Sequence, residues 1–131
     1  MRVLVISDIH ANYTALQAVL KDAGQVDETW CLGDLVGYGP DPNAVVEEVR
    51  EIQNLTCMLG NHDVAVIGKM PFETFNGDAR RSLTHHEKVM TADNMDYLNS
   101  LSSNAKVCGD ATLAHGSPRD PLWEYILNSL S

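Results

Sequence analysis

Four short blocks of this sequence carry side chains that bind metal ions or move protons: Asp8 and His10, Asp34, Asn61-His62-Asp63, and His115. Asp8 and His10 are two positions apart, so a continuing extended backbone turns both to one side, where they can share an ion. Asp34 follows Gly33 at the start of a loop tightened by Gly37, Gly39 and Pro40. A carboxylate at such a point can hold two cations about 3.5–4 Å apart, one on each oxygen. Asn61 offers a neutral oxygen, His62 can give a proton to a departing alkoxide, and Asp63 can fix that imidazole's tautomer and raise its pKa. His115 adds a further imidazole. Taken singly, each block has an ordinary explanation: a turn-capping Asp beside a surface His, a Gly-Asp turn, an Asn-centred turn, a satisfied structural His. Four chemically matched blocks together are harder to explain that way.

The elements that must position them are short. Apolar segments at 2–7, 28–32, 54–59 and 111–114, rich in Val, Leu, Ile, Thr or Cys and ending at Gly, Asp or His, read as strands. Between the first two, 14–23 places Ala15, Leu16, Val19, Leu20 and Ala23 on one helical face, with Gly24 as a stop. The second crossover opens with Asp41 as a cap and Pro42 in its first turn, and repeats Val45, Val49 and Ile52 at helical spacing. The unit is βαβαβ, which predicts an α/β fold with a parallel sheet and right-handed crossovers. Ligand sites of such sheets lie beyond the carboxyl ends of the strands, where all four blocks fall. Residues 76–102 turn helical, in one piece over 78–90 and a second capped by Thr91 that buries Met95, Leu98 and Leu101. They form a helical insert within a single domain spanning 1–131.

Composition narrows the function classes. The formal charge of −9 argues against non-specific nucleic-acid binding, which uses Lys and Arg to displace counterions from phosphates. Bound divalent cations would both relieve repulsion among the carboxylates and neutralise a phosphate substrate. No apolar run approaches the roughly 20 residues of a membrane span, and the amino terminus lacks the form of a secretory signal, which together predict a cytoplasmic protein. Cys31, Cys57 and Cys108 show no CxxC spacing and read as free thiols within apolar segments. A nucleotide-binding βαβ reading fails because the turn Asp8-Ile9-His10-Ala11-Asn12 has no Gly-rich phosphate cradle.

The blocks Asp8-Ile9-His10, Gly33-Asp34, Gly60-Asn61-His62-Asp63 and His115-Gly116 resemble, in order and spacing, those of the calcineurin-like metallophosphoesterase superfamily. Longer stretches, Gly33 to Pro40 and His115 to Tyr125, resemble its compact bacterial and archaeal phosphodiesterase branch, and the likeness covers almost the whole chain. The resemblance implies an αββα sandwich with two divalent ions, Mn, Fe, Ni or Zn, at one rim. Asp8 and His10 would bind the first ion, Asp34 would bridge, Asn61 and His115 would bind the second, and His62 with Asp63 would form an acid pair. It implies hydrolysis of phosphate esters, by preference diesters, with a metal-bound hydroxide as nucleophile. The alternatives are a phosphomonoesterase or protein phosphatase, and a non-catalytic interaction module on the same fold. Asn12 and Tyr38 can line the same rim, and Arg119 can orient a substrate phosphate or pair with Asp120 or Asp41.

One departure accompanies the likeness. Members of this superfamily usually carry a late Gly-His-x-His block, and nothing like it follows Tyr125; the tandem His85-His86 reads as part of a solvated helix face. The implied picture is a shortened form with an incomplete second sheet and weak or absent activity. Trp123, Tyr125, Ile126, Leu127 and Leu130 would then lack cover, which predicts a homo-oligomer.

Overall fold

The computed structural model describes residues 1–131. Three parallel strands, β1 (Val3–Ile6), β2 (Glu28–Cys31) and β3 (Leu55–Cys57), form a sheet in the order β1-β2-β3. Ile6 pairs with Cys31 and Cys31 with Cys57, so the three chains leave the sheet in register at one edge. The crossovers are α1 (Tyr13–Ala23) and α2 (Pro42–Arg50). Val45 and Val49 are buried on the inner face of α2 as expected, joined by Val46, whereas Ile52 lies past the helix end at Arg50 and is half-buried, and the Asp41 side chain makes no capping hydrogen bond. In α1 the structure departs from the expected face, since Leu16 is buried but Ala15 and Val19 are exposed. The reason lies in β1, the edge of the sheet: no strand lies beyond it, and Val5, Ala15 and Val19 line an open groove there.

Beyond β3 the chain enters a helix at once, α3 (Asn61–Val66), capped by Gly60. Asn61-His62-Asp63, to which the sequence pattern assigns no element, is the first turn of this helix, with Asp63 at the third position accepting the Gly60 N–H at 3.0 Å. An acidic residue there, followed by apolar Val64-Ala65-Val66, is the signal that marks it. The expected helical insert consists of α4 (Gly77–Val89) and α5 (Ala92–Asn99), preceded by a 3-10 turn at Phe72–Thr74. Asn76 and Thr91 cap the two helices by accepting the N–H groups of Ala79 and Asn94. Leu83 and Leu98 join Leu35, Val36, Ala65 and Val66 in one core beside the parallel sheet.

The last strand does not extend that sheet. β5 (Ala111–Leu113) pairs antiparallel with β4 (Lys106–Cys108) in a separate two-stranded sheet, and it delivers His115 to the site from outside the βαβαβ unit. No helix is long and apolar enough to cross a membrane.

Candidate metal centre

The loops that leave the parallel strands are tied to one another through the backbone. Asp8 N–H donates to the Gly33 carbonyl (2.9 Å), His10 N–H to the Asp34 carbonyl (3.0 Å) and Ala11 N–H to the Leu35 carbonyl (2.8 Å). The extended geometry expected to align Asp8 with His10 ends at Ile6. Both residues instead adopt left-handed backbone, with φ of 54° and 49°, as do Asp34 (57°) and Tyr38 (64°). Conformations of this kind cost about 1–3 kcal/mol each and persist where surroundings over-determine them, often at functional sites. Here the inter-loop hydrogen bonds supply the constraint.

Asp63 is the anchor of this arrangement. Its carboxylate is fully buried and accepts N–H groups from Asp34 (2.7 Å), Leu35 (2.9 Å), Val36 (3.1 Å) and Gly60 (3.0 Å). Burial and the nearby Asp34 charge push its pKa up to about 7, against the pull of those donors. The expected His62–Asp63 pair is not formed: all the oxygens of Asp63 serve the backbone, and His62 Nδ1 is buried without a partner. That nitrogen looks instead toward Gly37, where a Cβ would sit 2.4 Å from it, so only glycine fits. Burial lowers the pKa of His62, opposite to the rise expected from an aspartate partner.

Asp34, nearly buried, stands at the centre of the ligand groups. Its Oδ2 lies 3.6 Å from His10 Nε2 and 3.3 Å from His115 Nε2, while its Oδ1 accepts the His62 N–H at 3.0 Å. Asp8 Oδ1 is 3.6 Å from His10 Nε2, and Asn61 Oδ1 is 3.3 Å from His115 Nε2. Two donor triads result, Asp8-Asp34-His115 and His10-Asp34-His62, each with its ligand atoms within 4.8 Å of one another, and Asp34 belongs to both. The other ring nitrogens are engaged: His10 Nδ1 meets the Val36 carbonyl at 2.8 Å and His115 Nδ1 the Leu32 carbonyl at 2.9 Å. A backbone carbonyl that takes the Nδ1 proton leaves Nε2 as the metal-facing lone pair.

Charges behave as they do where a cation is called for. Burial alone would lower His115, but the Asp34 hydrogen bond and charge, the Leu32 carbonyl and Asp8 carry its pKa up to about 9. His10 is likewise raised, because Asp8, the Val36 carbonyl and Asp34 together outweigh burial. Asp8 falls to about 2 beside the His10 imidazole. Carboxylate, amide and imidazole donors packed this closely fit divalent Mn, Fe, Ni or Zn, with no thiolate among them.

These residues line an open cleft of about 480 Å³ together with Tyr38, Trp123 and Tyr125. The Tyr38 ring lies 5.0 Å from that of His10 and 5.1 Å from that of His62, and Phe75 packs 4.8 Å from His62 on another side. Asn12 is not on this rim, since its side chain caps α1 through the Ala15 N–H at 3.0 Å. Arg119 also points elsewhere: it pairs with Glu124, not with Asp120 or Asp41, and does not line the cleft. Of the tandem histidines, His85 is exposed as expected, but His86 is buried and bonded to the loop carrying Tyr38. Sequence reading missed it because the helical periodicity of α4 is polar on average, and the partners of His86 lie 47 and 49 residues away.

The family model of calcineurin-like phosphoesterases matches residues 1–130. A metallophosphoesterase from Sphaerobacter thermophilus superposes with a TM-score of 0.83 at 50% identity, over 96% of this chain and 51% of that one. An uncharacterized protein of Methanocaldococcus jannaschii is 38% identical over 95% of this chain and 53% of its own length. The symmetrical bis(5'-nucleosyl)-tetraphosphatase of Erwinia tasmaniensis is 38% identical over 51% of this chain and 26% of its own. The chain thus spans about half the length, or less, of the relatives it matches. With the family model matched over nearly the whole chain and its four blocks folded around one carboxylate, the chain belongs to the calcineurin-like phosphoesterase family.

Proposed function

We propose that this chain holds the metal-binding and ester-facing groups of a hydrolase acting on phosphodiesters, nucleotides among them, through two divalent ions. One observation carries the reading: Asp34 stands between the Nε2 atoms of His10 and His115 at 3.6 and 3.3 Å. In this reading Asp8 and His10 would hold one ion, Asn61 and His115 would hold the other, and Asp34 would serve both. Bound ions would polarise the phosphoryl oxygens as Lewis acids and bring the pKa of a coordinated water to about 7. The protein's own part is to keep the donors in place. The Val36 and Leu32 carbonyls fix the two imidazoles, and Asp63 holds the N–H groups of the Asp34 loop. His62 faces the cleft, and its proposed role is to touch the ester and protonate the leaving oxygen. The tetraphosphatase name of one relative supports a nucleotide substrate with phosphate-to-phosphate or phosphate-to-sugar linkages.

Turnover by these residues alone is expected to be slow. With added Mn²⁺, bis-p-nitrophenyl phosphate should be hydrolysed faster than p-nitrophenyl phosphate. Asp34→Asn should lose about 100-fold, because the ions that would stabilise the transition-state charge lose the ligand they share. His62→Asn should cost more with an alkyl diester than with the p-nitrophenyl ester, whose leaving group needs no proton. Faster monoester turnover would reverse the substrate assignment, and metal-independent hydrolysis indifferent to Asp34→Asn would end the reading.

A further inference from the structure

Helix α4 supplies none of the proposed metal ligands, yet its cap Asn76, half-buried Ser82 and buried His86 all end on the loop that bears Tyr38. His86, 1% exposed, accepts the Gly37 N–H at Nδ1 (3.1 Å) and donates from Nε2 to the Gly39 carbonyl (2.8 Å). A donor facing one nitrogen and an acceptor facing the other admit a single neutral tautomer, protonated at Nε2. Burial pushes the His86 pKa down, which keeps the ring in that neutral form. Ser82 Oγ accepts the Tyr38 N–H at 2.8 Å while giving its own proton to the Ala79 carbonyl. Asn76, the cap of α4, donates to the Tyr38 hydroxyl at 3.0 Å.

The segment so held is an unusual one. Gly37 and Tyr38 are consecutive left-handed residues, with φ of 89° and 64°. A tyrosine in that conformation needs outside support, and the N–H groups of both residues find it on α4. The ring thus presented is half exposed, lines the cleft, and stands edge-on to His10 and tilted against His62.

We propose that His86 is a positioning residue of the phosphoester site: it fixes the Gly37–Gly39 turn so that Tyr38 forms a wall, beside His10 and His62, for the organic group of the ester. The inference rests on the phosphodiesterase reading for its functional half and on α4 contacts alone for its structural half. The separation lets each be tested by itself.

Ring currents from Tyr38 should displace the Cε1–H resonances of His10 and His62 in the metal-free chain. Tyr38→Leu sets the positions these signals take without the ring. His86→Ala should move them most of the way there, and His86→Asn, which keeps an acceptor near the Nδ1 position, should recover part of the shift. Under Mn²⁺-dependent diester turnover, Tyr38→Leu and His86→Ala should each raise KM about tenfold with kcat changed less than about threefold, an effect of lost substrate orientation. The double variant should add little, because both changes remove the same wall. Should His86→Ala not fold, Ser82→Ala takes its place and must shift the same two resonances in the same direction. Folded variants with unmoved His10 and His62 signals, or fully additive KM effects, would overturn the proposal. If the wild-type chain hydrolyses no ester, the phosphodiesterase reading fails and the functional half of this inference with it, while the resonance shifts still decide whether His86 positions Tyr38.

Discussion

His10 and His115 each approach Asp34 with one nitrogen because the other is spent on a main-chain carbonyl. Without a cation, the lone pairs so aimed attract protons, and the carboxylates hold them there. His115 therefore titrates at about 9 and His10 above its ordinary value. A divalent ion would compete with those protons, so its binding at pH 7 should release them. Calorimetric binding enthalpies should then vary with the ionisation heat of the buffer, and affinity should climb from pH 6 toward pH 9. The stability of the metal-free chain runs the other way. A folded-state pKa raised above the unfolded 6.5 gives stabilisation that is complete below 6.5 and disappears as pH rises through about 9. We expect thermal unfolding to come at lower temperature at pH 9.5 than at pH 6.5, by an amount equivalent to about 2 kcal/mol after allowing for solvent screening. His115→Asn should flatten that slope; an unchanged slope would show that the His115 proton is not its source.

At the scale of elements, the turn between β1 and α1 does two jobs in five residues: Asp8 and His10 face the cleft, while Asn12 starts the helix. The division makes a clean prediction. Asn12→Ala removes the cap on the Ala15 N–H and should cost about 1 kcal/mol in chemical denaturation. Metal affinity should remain within twofold of wild type, because Asn12 lines the outer groove and not the metal-facing cleft. A large loss of metal affinity with little loss of stability would return Asn12 to the binding rim. Helices α2 and α5 were readable because the apolar spacing of the one and the Thr91 cap of the other are local, and the site was readable because its blocks sit just past strand ends. What escaped the sequence depends on long-range partners. Asp63 accepts N–H groups from residues 27 to 29 positions earlier, and a carboxylate beside an imidazole in sequence gives no hint of that. The left-handed backbone at Asp8, His10 and Asp34 likewise follows from one loop binding another, not from residue preference. The exposed side of α1 reflects the edge position of β1, which the periodicity of 14–23 does not encode.

For the molecule as a whole, an acidic body meets an uncovered apolar strip. The strip follows the site: Trp123 and Tyr125 line the cleft, and Tyr125, Ile126, Leu127 and Leu130 are 75%, 64%, 82% and 94% exposed. Covering a large apolar side chain stabilises by about 1.5–3 kcal/mol, so a contact that buries several of them can offset part of the cost of bringing two chains together. We propose that copies of this chain associate through that strip, opposed by a formal charge of −9 on each. Salt screens the repulsion and leaves the apolar attraction intact, so association should strengthen as ionic strength rises. Static light scattering over a concentration series should show the mass climbing above the 14.4 kDa of one chain, with the midpoint at lower protein concentration in 0.5 M than in 0.05 M salt. Leu127→Glu, which places charge within the strip at a residue that does not itself line the cleft, should shift the midpoint upward by about tenfold or more. A mass that stays monomeric across the series at both salt concentrations would show that the strip does not bring two copies together.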